Sequence, residues 1–146
     1  MTDRLLVLLI IAAVVAAIWA LVRLRATSYR GRDAADLLEA DRPLILAFST
    51  PDCVPCRTAQ KPALEKLRQR YVDRVEVREV DATVHPELAD RFGILTVPST
   101  VVVGADGRVR AVNYGLALAD KLALQLGLDG GPRRGVTSRL DTVRRT

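Results

Sequence analysis

The hydropathy pattern divides the chain into two regions before any residue chemistry is considered. Leu5 to Val22 is a continuous apolar run without charge, proline or glycine. Its eighteen residues, at about 1.5 Å rise each, span roughly 27 Å as a helix, close to the hydrocarbon thickness of a bilayer. The run is apolar on every face, which a core helix of a soluble domain is not. Arg4 and Arg23 bound it and Trp19 lies near one end, positions from which long basic side chains snorkel and indole rings sit at the interface. A cleaved signal peptide calls for a shorter apolar core and a small-residue cleavage site, but this run passes directly into Arg23-Leu24-Arg25. Residues 1–25 are therefore expected to be a retained single-pass anchor in contact with membrane lipid.

Beyond a polar linker at 26–32 the periodicities are those of a globular α/β domain over 33–127. Asp33 to Ala40 predicts a short helix with Asp33 as N-cap. Pro43 opens a buried strand through Ser49, and Thr50-Pro51-Asp52 is a turn. Val54 to about Tyr71 predicts a long helix with Leu64, Leu67 and Tyr71 on one stripe and a kink at Pro62. Val75 to Val80 alternates as a strand, and Pro86 to Phe92 is a short helix ended by Gly93. Thr100–Val103 and Val109–Tyr114 flank an Ala105-Asp106-Gly107 turn as a hairpin, and Gly115 breaks the second strand. Leu118 to Leu126 predicts a final helix with Leu118, Leu122 and Leu126 in register. A strand–helix–strand unit implies parallel pairing and the hairpin adds antiparallel strands, giving one central mixed sheet flanked by helices.

Composition adds limits to this picture. The 146 residues, less the apolar segment and a polar tail, leave about 100, enough for one small core and not two. A hydrophobic content of 49% excludes wholesale disorder. The net charge is +5, of which the tail at 128–146 carries +3, from five arginines against two aspartates. That tail is expected to be a solvated, disordered end. No aromatic residue interleaves with its arginines, so nucleic acid is not an expected partner. Arg23, Arg25, Arg30 and Arg32 follow the apolar run, and only Arg4 and the α-amino group precede it. That asymmetry weakly favours a cytoplasmic domain.

The candidate chemistry is Cys53-Val54-Pro55-Cys56, which holds the only two cysteines. A disulfide closing so short a loop constrains little chain entropy, so the pair serves chemistry better than stability. Cys53 falls at the start of a helix, where free N–H groups and the helix dipole favour a thiolate. Arg57 adds positive charge there and Asp52 opposes it. Val54 and Pro55 set the turn, and Pro55 removes one N–H donor. His85, the sole histidine, reads as an exposed loop residue. Two cysteines and one histidine fall short of a four-ligand zinc site, and no metal is expected. The cysteine pair also fits a soft-metal module holding Cu(I) at the membrane, the competing reading.

The order of elements, with the cysteine pair at the strand-to-helix turn, resembles the thioredoxin family over about Asp33 to Gly127. Cys53-Val54-Pro55-Cys56 matches the redox motif, and Pro62 resembles the proline of the active-site helix, displaced by one residue. Thr96-Val97-Pro98-Ser99 matches the family's cis-proline segment, and Asp106-Gly107 with Gly115 matches the closing hairpin. The resemblance implies a membrane-anchored thiol–disulfide oxidoreductase acting on protein thiols and disulfides. It needs an electron donor or acceptor not identified by the sequence, and no cofactor beyond its own disulfide. Cys53 is the implied attacking thiol and Cys56 the resolving one. A cis Val97–Pro98 bond would turn the Val97 backbone toward Cys53, where it could pair with an extended substrate. Four positions depart from the family: Ala47 stands where it has a buried acid, Glu79 near its lysine, and Ser49 and Asp52 where it has tryptophans.

Overall fold

The computed structural model describes residues 2–39 and 41–128. Of the tail expected at 128–146, Leu128 is described and buried in the core, and the rest lies outside the described residues. Helix α1 covers Thr2–Ser28. The domain then runs through a 3-10 turn at Ala35–Leu37, β1 Leu44–Ser49, a π-turn at Cys56–Gln60 and α2 Lys61–Arg70. It continues with β2 Glu76–Asp81, α3 Pro86–Arg91, β3 Ser99–Val103, β4 Val109–Tyr114 and α4 Ala119–Gln125.

The four strands form one mixed sheet in the order β2-β1-β3-β4. β1 pairs parallel to β2 and antiparallel to β3, which pairs antiparallel to β4. Successive side chains of a strand point to opposite faces, so central β1 feeds two cores. Ile45 and Ala47 join Leu64 and Leu67 of α2 and Leu122 of α4 on one face. Leu44, Leu46 and Phe48 join Val80, Phe92 and Val101 on the other. The first five residues of β1 are all buried, which is why its sequence reads as an unbroken apolar run and not as an alternation.

The linker expected at 26–32 is partly helical and partly docked. α1 runs on through Thr27 and Ser28, whose hydroxyls both donate to the Leu24 carbonyl, at 2.8 Å each, and so find partners within the helix. Beyond it Gly31 N–H donates to Val109 C=O and Val109 N–H to Arg32 C=O. Tyr29 packs against the Phe48 side of the core. Its hydroxyl lies where a Cβ on Gly93 would come within 2.1 Å.

Two local expectations are corrected. The helix expected over Asp33–Ala40 is reduced to the turn at Ala35–Leu37, with Ala34 and not Asp33 at its N-cap. Ala34 N–H donates to Gly107 C=O and Asp33 bridges to Arg108, so pairing with the hairpin holds this backbone extended. Leu118 is 59% exposed, and the buried face of α4 is Ala119, Leu122 and Ala123. Leu118 is the extended N-cap residue (φ −73°, ψ 157°), so it stands outside the helical stripe. The long helix expected from Val54 to about Tyr71 is present as one unbroken helical run over 54–70, with Pro62 inside it just after the π-turn.

Candidate active site

The site is assembled by the sheet register. Phe48 pairs with Ser99 and Ser99 with Tyr114. The end of β1, the start of β3 and the end of β4 therefore lie together at one end of the sheet. The segments Thr50–Cys56, Val97–Pro98 and Gly115–Leu118 all adjoin that end. The Thr50 carbonyl accepts the Cys53 N–H at 3.1 Å, turning the chain into the helix.

Cys53 and Cys56 form a disulfide, with sulfurs 2.00 Å and Cα atoms 5.3 Å apart. Cys56 N–H donates to Cys53 Sγ at 3.2 Å. Both cysteines are buried, at 8% and 6% exposure, while Val54 between them is 55% exposed. Pro55 is also exposed.

Arg57 is exposed and lines a cavity beside Cys56. Its Nη1 donates to the Pro51 carbonyl, so the guanidinium braces the turn before Cys53. Val97 is half-buried and joined to Pro98 by a cis peptide bond. The Pro98 carbonyl accepts the Gly115 N–H at 2.8 Å, which ties this segment to the end of β4. His85 is exposed, with Nδ1 3.2 Å from Glu87. Among the described residues no three His, Cys, Asp or Glu side chains cluster in a way that would hold a metal.

Ala47 and Glu79 are register partners across β1 and β2. A cavity of about 20 Å³ beside them is lined by Cys56, Gln60 and Lys61 among others, the space of about one water. A larger cavity of about 200 Å³ adjoins Cys56, Arg57, Lys61, Glu79 and Asp81. Glu79 lies at the surface and its carboxylate pairs with Arg68 at 3.4 Å.

Sequence reasoning missed Gln60. It is 3% exposed, and its amide makes two hydrogen bonds to Ala117. Nε2 donates to the Ala117 carbonyl at 3.0 Å, and the Ala117 N–H donates to Oε1 at 2.9 Å. The available signal was the one-residue displacement of Pro62. Between Cys56 and Pro62 the backbone absorbs that residue as a π-turn, closed by Lys61 N–H donating to the Cys56 carbonyl five residues back.

A buried disulfide of this spacing, at the opening of a helix beside a cis-proline, defines a thiol–disulfide exchange protein. Comparison with known proteins assigns the lineage: residues 29–126 match the Thioredoxin family, and the chain belongs to it. It is 35% identical over 89 residues to Thioredoxin C-2 of Corynebacterium nephridii, covering 61% of this chain and 81% of that one. It is 33% identical over 87 residues to the thioredoxin of Rhodospirillum rubrum, covering 60% and 82%. Among solved structures, oxidised mitochondrial thioredoxin 3 from Saccharomyces cerevisiae superposes with a TM-score of 0.52 at 27% identity, covering 66% of this chain and 84% of that one. The chain is thus a thiol–disulfide oxidoreductase whose substrates are protein thiols and disulfides. The family match begins at residue 29, immediately after α1.

Proposed function

We propose that the chain is a membrane-tethered oxidoreductase that exchanges a Cys53–Cys56 dithiol with protein disulfides close to the bilayer. The observation that carries this is the disulfide itself, with Cys53 Sγ accepting the Cys56 N–H at the opening of a helix. In the reduced protein the same N–H would stabilise a Cys53 thiolate, since hydrogen bonds to charged acceptors are the stronger ones. Cys53 attacks one sulfur of a substrate disulfide, joins it in a mixed disulfide and releases the other as a thiolate. Cys56, deprotonated, then attacks Cys53 Sγ, expels the second substrate thiolate and closes Cys53–Cys56. Two electrons pass from enzyme to substrate, and a dithiol reductant must return them. With a substrate dithiol the same steps run backward.

Val54, Val97 and Pro98 shape the surface where an extended substrate lies, Pro55 sets the turn and Arg57 holds it through Pro51. No cofactor enters, because the cysteines carry the electrons. Tethering is supported by α1. Arg4–Arg25 is long and apolar enough to cross a membrane, with mean hydropathy 3.2 and none of it buried. The Arg23 guanidinium stacks over Trp19 at 4.8 Å, a pairing suited to the lipid boundary. The arginines that follow favour a cytoplasmic domain, and the reading involves lipid but no nucleic acid.

The test uses the full-length chain in detergent micelles, with insulin reduction driven by dithiothreitol and trapping by Cys56→Ser. Turnover by the native chain and mixed disulfides on Cys53 are expected. Absence of both, with stoichiometric Cu(I) binding in their place, would replace this reading by the copper one. Labelling of cysteines in intact cells with an impermeant reagent, after mild reduction, reads the side of the membrane.

A further inference from the structure

The π-turn after Cys56 has no place in the exchange chemistry, yet it delivers a buried amide to a segment beside the site. Gly115–Leu118 leaves the end of the sheet at Gly115, whose N–H is held by the Pro98 carbonyl. Gly115 has φ +85°. Ala117 at its centre is fully buried, while Leu116 and Leu118 on either side are 46% and 59% exposed. Helix α4 begins at Ala119 with no side-chain cap. Both backbone polar groups of Ala117 are taken by the side chain of Gln60.

An α-helical path from Cys56 to Pro62 would hold one residue fewer. The extra residue, absorbed in the π-turn, brings a residue four positions after the resolving cysteine into the seam between the active-site helix and this segment. A polar side chain buried there is stable only because both of its amide groups are satisfied. The result is a two-point clamp that fixes how Leu116 is displayed beside Val97–Pro98.

We propose that Gln60 is a positioning residue for protein substrates, acting through Leu116. Clamping Ala117 fixes Leu116 as an apolar contact for the polypeptide flanking the target disulfide, and Gln60 takes no part in the sulfur chemistry. The inference rests on the oxidoreductase reading above. It implies that a small disulfide, which has no flanking polypeptide, does not sense Gln60.

The test measures steady-state reduction of insulin and of oxidised glutathione by the full-length chain in micelles, driven by dithiothreitol. Gln60→Met keeps the apolar volume and removes both hydrogen bonds. Its KM for insulin should rise about tenfold, the scale of one apolar contact in a binding site. Its kcat for insulin and its rate with oxidised glutathione should stay within about twofold. Leu116→Ser, at an exposed position, should raise the insulin KM similarly and keeps the test alive if Gln60→Met folds poorly. The double variant should be no worse than either single one, because the two side chains act in series. A merely structural Gln60 would depress both substrates together, and that result, or an unchanged insulin KM in both single variants, overturns the proposal. A native chain inactive on both substrates would overturn the oxidoreductase reading first and this inference with it.

Discussion

Gly93→Ala tests how firmly the apolar helix and the domain are joined. Gly93 follows α3 with φ +63°, the left-handed region that costs an L-residue about 1–2 kcal/mol. A Cβ there would stand 2.1 Å from the Tyr29 hydroxyl oxygen and 2.4 Å from its ring carbon Cζ, so the ring must leave its seat. Tyr29 packs at the edge of the Phe48 side of the core and is half-buried. Displacing it forfeits about 1 kcal/mol, part of the roughly 1.5–3 kcal/mol for burying a large apolar side chain. The two costs together come to about 2–3 kcal/mol, and for a domain of this size Tm should fall by roughly 10–20 °C. Thermal unfolding of the oxidised chain in micelles, followed by far-ultraviolet circular dichroism, reads this, with α1 as a constant background. Tyr29→Ala removes the obstacle, so in that background Gly93→Ala should cost only the backbone part. The cycle should show a coupling of about 1 kcal/mol. Strict additivity, or a cost for Gly93→Ala below about 0.5 kcal/mol, would refute the contact.

Three further outcomes follow from single contacts. Phe48, 1% exposed in the central strand, should cost about 3–5 kcal/mol on replacement by alanine, read by urea unfolding. The Arg91 guanidinium grips Asp36 with two bonds of 2.7 Å and, through that hydrogen bond, holds its carboxyl below the usual range. A depressed carboxyl stabilises the fold above the ordinary aspartate range and loses that contribution as pH falls through its lowered value. Arg91→Met should therefore flatten the stability profile between neutral pH and about pH 3, by an amount kept small by exposure. Burial raises the pKa of Tyr114, whose hydroxyl donates to the Gly93 carbonyl at 3.1 Å. A raised tyrosine stabilises below its unfolded value and loses this as pH climbs, so Tyr114→Phe should soften unfolding above about pH 10.

The sequence revealed elements wherever one physical signal governed. The bounds of β4 coincide with those expected, because a turn and Gly115 delimit it. β1 was legible because burial on both faces admits only apolar residues. The signal failed where two demands competed. Asp33 bears an N-cap's side chain, yet its backbone pairs with the hairpin, a contact 75 positions away that no local pattern records. Leu118 fits the period of α4, but the helix begins one residue after it. Gln60 was invisible because hydrophobic periodicity carries no mark for a five-residue turn. Only the offset of Pro62 hinted at it.

The pairing of residues 31–34 with the start of β4 also bears on what happens between neighbouring molecules. Anchors confined to a bilayer would bring domains side by side at high local concentration, where bare sheet edges invite strand-to-strand zippering. On one border Gly31, Arg32 and Ala34 already occupy backbone groups of Val109 and Gly107. On the other, β2 presents Glu76 and Arg78, ion-paired at 2.6 Å, with Glu39 joining Arg78 at 2.9 Å. One edge is thus partly covered and the other charged, so crowding in the membrane plane need not end in aggregation.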